Sequence, residues 1–203
     1  MPNGKTVVST NSTPNSVKDV ALKALTFQDL WDNYVTGNPY DDPSGQYKNQ
    51  CAIRMSATFH SVGIEMKSFS QKLVKPMAGK QTLGRILLNG KSTATRAHEL
   101  ADWLKLRPIT GLPPPEDVTG PDWQGKVKGR TGIISFYGYW RQDGDSADSL
   151  SGGHIDLWNG SRLTNNGVLG TMENFGRFTL NMRTGPGFSD LGKSKEILFW
   201  DMK

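Results

Sequence analysis

The sequence predicts an α+β domain in which helices come first and a largely antiparallel sheet follows. Three observations carry that expectation. Apolar residues recur at helical spacing over residues 20–34 and again over 50–63. From Gly129 onward they gather instead in short runs bounded by glycine or by an Asn-Gly turn. The 203 residues show no internal repeat and no linker, so both kinds of element must share one core.

Residues 1–19 are polar and rich in Ser, Thr, Asn and Pro, without the apolar stretch of a secretory signal. They read as a flexible leader ahead of a single domain over 20–203. Leu22, Leu25, Leu30 and Trp31 set the first helix, and the Gly, Pro, Asn and Asp of residues 37–46 end regular structure after it. Ala52, Met55, Ala57 and Phe59 then mark a buried helix that stops near Gly63, with Cys51 at its first turn. Residues 92–104 open with hydroxyl caps and read as a third helix. Three consecutive prolines make 111–123 a loop. Residues 132–137, 153–158 and 196–200 are the expected strands, the second ending at Asn159-Gly160.

Composition removes several function classes. The chain has 24 basic and 19 acidic residues, a net charge of +5 and a mean hydropathy of −0.51, with no apolar run of membrane-spanning length. No membrane insertion is expected. A charged fraction of 21% without a nucleic-acid-binding signature argues against nucleic acid as partner. One cysteine excludes an internal disulfide or a cysteine-rich zinc site, and His60, His98 and His154 lack metal spacing, so neither metal nor cofactor is expected. Asn89-Gly90-Lys91-Ser92 ends like a phosphate loop, but Arg85 stands where its first glycine belongs. It reads as a loop feeding a helix cap.

Cys51 is the sharpest candidate. A lone cysteine is usually a small buried hydrophobe. At a helix N-terminus, however, the macrodipole and unpaired N–H groups favour thiolate and can hold an oxyanion. Arg54, on the same turn, adds positive charge. His60 is too far along the helix to reach Cys51, and His98 reads as a solvated or capping mid-helix residue. His154 opens a strand beside two glycines, which permit close approach of a substrate backbone. A cysteine on a helix with a histidine on a later strand is the layout a thiol nucleophile and its base require. Asp156 and Asn165 both stand at spacings that can orient the imidazole.

The segment Tyr47-Lys48-Asn49-Gln50-Cys51-Ala52-Ile53-Arg54-Met55-Ser56, preceded by Leu30-Trp31-Asp32-Asn33-Tyr34, resembles the nucleophile region of the type VI secretion amidase effectors of family 4. Gly153-His154-Ile155-Asp156-Leu157-Trp158-Asn159-Gly160 resembles that family's histidine strand, and Gly132-Ile133-Ile134 also fits. The resemblance implies a papain-like NlpC/P60 fold, with nucleophile-bearing helices packed on the sheet. It implies a cysteine endopeptidase that cuts the peptidoglycan stem between D-glutamate and meso-diaminopimelate, with Cys51 as nucleophile and His154 as base. The family's third residue, usually Asp, aligns on Asn165; Asp156, Trp158 and Arg54 are expected substrate contacts. The implied partners are peptidoglycan, the type VI secretion machinery and a cognate immunity protein. The implied route runs from the producing cytoplasm, without a signal peptide, to the recipient's periplasm. Two other classes fit the same residues: a wall-binding module in which Cys51 only packs, and a cytosolic thiol amidase acting on a small γ-glutamyl substrate.

Overall fold

A computed structural model describes residues 5–9, 14, 17–21, 23–141, 150–164 and 190–203. Where the sequence suggests a flexible leader, the backbone forms an antiparallel pair, β1 (Lys5–Ser9) and β2 (Val17–Ala21), with Lys5 opposite Ala21. The sequence of the two segments, with Thr6, Val7, Val8, Val17 and Val20, supplies the β-branched residues that favour it. The helix expected over 20–34 is correspondingly shorter: α1 spans Phe27–Asp32. Thr26 sets its start through a capping box, its hydroxyl accepting from the Asp29 N–H at 3.1 Å while its own N–H donates to the Asp29 carboxylate at 3.1 Å.

α2 runs Cys51–Ser61, as its apolar spacing predicts. Its inward residues Ala52, Met55 and Phe59 are buried at 1% exposure or less. The stretch read as a loop feeding a helix cap is a β-hairpin, β3 (Arg85–Leu88) and β4 (Lys91–Ala94). Asn89 and Gly90 both have left-handed φ, +50° and +76°, and so form the two-residue turn that Asn-Gly favours between strands. Consequently α3 begins only at Ala97 and ends at Lys105.

Glu99 on α3 is fully buried and accepts from Met77 N–H at 2.8 Å, Gly84 N–H at 2.6 Å and the Arg96 guanidinium at 2.7 Å. This carboxylate ties the segment before β3 to α3. Gly84 is required there, because a Cβ would lie 2.7 Å from the Thr95 hydroxyl and 2.9 Å from the Glu99 carboxylate.

The 111–123 loop contributes β5 (Glu116–Asp117) and leads into α4 (Trp123–Val127). β6 (Gly132–Trp140), β7 (Gly152–Trp158) and β8 (Glu196–Asp201) complete an antiparallel sheet of order β5-β8-β6-β7. Strand alternation buries both faces. Ile133, Ile155, Leu157, Leu198 and Trp200 pack with α1, α2 and α3, while Ile134, Phe136, Trp158, Ile197 and Phe199 pack with α4. The result is an α+β domain, as expected, with β7 at the edge of the sheet beside α2.

Candidate active site

Cys51 is the first residue of α2 and is 5% exposed. The residue before it, Gln50, does not cap the helix. Both ends of its buried amide are occupied by the backbone of Tyr40, accepting from its N–H at 3.1 Å and donating to its carbonyl at 2.8 Å. Arg54 N–H is the first to bond back, to the Gln50 carbonyl at 2.8 Å. The N–H groups at the head of α2 therefore stand without a side-chain cap next to the sulfur.

The partner comes from β7. His154 and Cys51 are hydrogen-bonded through their side chains, and Ile155 N–H also bonds to the sulfur. His154 Nε2 lies 3.3 Å from Asp156 Oδ2, which leaves Nδ1 for the thiol. Asp156 is 4% exposed; its other oxygen accepts from Leu157 N–H at 2.8 Å and from the Thr164 hydroxyl. Tyr34 joins this group through hydrogen bonds to Thr164 and Arg54. Burial, and then the charge of Asp156, push its phenol far up, so it stays neutral.

Electrostatics follow from this geometry. Burial by itself raises the Cys51 thiol, but the His154 hydrogen bond and charge, with Arg54 and Ile155 N–H, outweigh it and hold the thiol below its ordinary value. Burial likewise opposes charge on His154. Asp156 and Cys51 overcome that and push the imidazole up to about 10. Both shifts favour a thiolate–imidazolium pair at neutral pH.

A cleft of about 610 Å³ opens beside Cys51, lined from residues 45–49, the segment entering β3, the start of α3 and Gly153 next to His154. Of the residues expected to contact substrate, none lines it. Asp156 is buried against His154, because same-face neighbours on a strand are only about 7 Å apart and a ring and a carboxylate can close that gap. Trp158 is 2% exposed in the core and donates through Nε1 to the Val127 carbonyl at 2.9 Å. Arg54 is 8% exposed and holds the Gly37 carbonyl at 3.2 Å, one turn beneath the sulfur. Asn165 lies outside the described residues, and the place at His154 Nε2 is taken by Asp156.

His98, read as a solvated or capping residue, lines the cleft and stacks on Tyr137 with ring centroids 3.9 Å apart. His60 is at the far end of α2, 3.0 Å from the Ser92 carbonyl. Tyr34 and Thr164 carry no spacing signal that marks them in advance.

Fold and site together define an α+β protein whose single cysteine meets a histidine–aspartate pair at the head of a cleft. The family model for type VI secretion system amidase effector protein 4 (Tae4) matches residues 47–200, and the chain belongs to that family. It is a Tae4-like amidase effector of type VI secretion. Among solved structures, Tae4 from Enterobacter cloacae is 18% identical with a TM-score of 0.50, over 88% of this chain and 96% of that one. The Tae4–Tai4 effector–immunity complex from the same organism matches at 19% identity and a TM-score of 0.51, over 88% and 98%. The Tae4/Tai4 system of Salmonella typhimurium matches at 18% and 0.50, over 88% and 98%. These likenesses show a shared fold. Comparison with curated protein sequences yields no match. No helix among the described residues is long and apolar enough to cross a membrane.

Proposed function

We propose that this effector is a cysteine endopeptidase of papain-like NlpC/P60 type that hydrolyses the peptidoglycan stem between D-glutamate and meso-diaminopimelate. The observation that carries the reading is the placement of Cys51 at the head of α2 beside a histidine that Asp156 holds at 3.3 Å, an arrangement that lowers the thiol. In the acylation step the Cys51 thiolate attacks the amide carbon and a C–S bond forms. Backbone N–H groups at the helix N-terminus receive the oxyanion. His154 gives its proton to the leaving amine nitrogen as the C–N bond breaks. A water then loses a proton to His154 and attacks the thioester, releasing the acid and regenerating the thiolate. Asp156 is the positioning residue: it fixes the ring and stabilises the imidazolium.

In this reading the effector is injected by the type VI machinery, acts in the recipient's periplasm, and is neutralised by a cognate immunity protein, as the Tae4–Tai4 complexes suggest. Purified Gram-negative peptidoglycan digested with the protein tests the cleavage site. Mass spectrometry is expected to find new amino groups on diaminopimelate and new γ-carboxyl ends on glutamate. New ends at any other bond, or intact stems, contradict the assignment.

A further inference from the structure

The cleft beside Cys51 is one-sided in charge. Five cationic side chains line it and, among the described residues, no Asp or Glu does. The chain as a whole carries 24 basic against 19 acidic residues, so this segregation is local rather than a reflection of composition. One of the five, Arg96, is committed to the fold: it bonds Glu99 at 2.7 Å and the Thr82 carbonyl at 2.9 Å. Three others, Lys48, Lys80 and Arg85, are exposed, and their side chains have no hydrogen-bond or ion-pair partner among the described residues. Lys48 stands three residues before the nucleophile. Lys80 and Arg85 come from the segment that Glu99 fastens to α3. The cations are thus mounted on anchored backbone, and their charge is left for a ligand.

We infer that Lys48, Lys80 and Arg85 select the substrate: they hold the free carboxylates of an anionic peptide around the amide presented to Cys51, and disfavour the same peptide with those carboxylates amidated. The inference rests on the amidase reading above and deepens it. An amide made through a glutamate γ-carboxyl leaves that residue's α-carboxylate beside the scissile bond, and a diaminopimelate on the other side adds another. Like-signed groups concentrated in a cleft raise the local potential and draw such a ligand in. Arg85 adds a planar fork that matches a carboxylate, whereas the two lysines act as point charges.

The test compares two synthetic stem peptides, one with free carboxylates flanking the amide and one with them amidated. Each is offered to the wild-type protein, to Lys48→Gln, Lys80→Gln and Arg85→Gln, and to the triple variant. Each single change is expected to raise KM for the free stem about fivefold with kcat nearly unchanged. In the triple variant the loss is about a hundredfold, and turnover of the amidated stem stays as it was. Arg85→Lys retains most of the wild-type preference. A triple variant that discriminates like the wild type, or that loses the same factor on both stems, overturns the inference.

Alkylation of Cys51 separates failure of this inference from failure of the amidase reading. The wild-type protein is expected to favour anionic iodoacetate over neutral iodoacetamide, relative to a small free thiol, and the triple variant to lose that preference. If the wild type cleaves neither stem, the amidase reading fails, and the reagent ratio still decides the cleft. An unchanged ratio in the triple variant sinks the cleft assignment.

Discussion

Replacing Cys51 or His154 with alanine is expected to lower turnover of a defined stem peptide by about four orders of magnitude or more, and the double variant to lose little beyond either single. In the proposed mechanism the thiolate makes the new bond and the imidazolium supplies the leaving-group proton, so neither step proceeds on the remaining partner alone. Folding should survive both changes. Cys51→Ala removes one sulfur from a helix whose Met55 and Phe59 stay packed, a cost of about 1–2 kcal/mol. His154→Ala leaves Asp156 still bonded to Leu157 N–H and Thr164. Steady-state turnover beside thermal unfolding curves checks both points. Wild-type turnover in either folded variant contradicts the assignment, and a wall-binding module would keep its effect on cells when Cys51 is lost.

The second large effect belongs to Asp156. Asp156→Asn keeps a carbonyl to accept from Leu157 N–H and Thr164 but removes the charge that faces His154 Nε2 at 3.3 Å. kcat is expected to fall about a hundredfold with KM little changed, since orientation and imidazolium stabilisation are lost while the cleft is untouched. A structural role alone would not move the pH profile, whereas loss of this carboxylate is expected to move it. The alkaline limb, set by His154 at about 10, should shift downward once its carboxylate partner is neutral. Asn165→Ala serves as the comparison and should lose less. If Asn165→Ala is the more damaging, or if the alkaline limb of Asp156→Asn stays in place, then Asp156 does not position the ring.

The helix bearing Cys51 and the strand bearing His154 were legible because each is a strong local signal. α2 has its buried stripe over eleven residues, and β7 is a short apolar run closed by Asn159-Gly160. The choice between Asp156 and Asn165 was not legible, because it depends on side-chain reach across one strand face. Spacing alone cannot say that Asp156 leans toward the ring while Thr164 and Leu157 N–H hold its other oxygen.

Trp158 and Arg54 illustrate a related limit. Both sit beside site residues in sequence, yet Trp158, on the same strand face as His154 and Asp156, packs against α4, and the helical turn carries Arg54 to the Gly37 carbonyl. The β3–β4 hairpin is a different case. Its Asn89-Gly90 turn is a clear local signal, but the strands that flank it are four residues each and one of them, Lys91–Ala94, has only one apolar residue. With the hairpin went Arg85 and its place at the cleft.

In the proposed mechanism Cys51 is a thiolate held by His154 at the head of a helix. Its most direct test is the rate of alkylation by iodoacetamide as a function of pH. The sign follows from the site: a lowered thiol stays ionised, and therefore reactive, as the pH falls below the range where an ordinary cysteine protonates. The rate constant for the wild-type protein is expected to begin its fall at a lower pH than that of a small free thiol measured beside it. A rate that drops about tenfold for each unit below the usual thiol value near 8.5 would contradict the account and return Cys51 to a packing role.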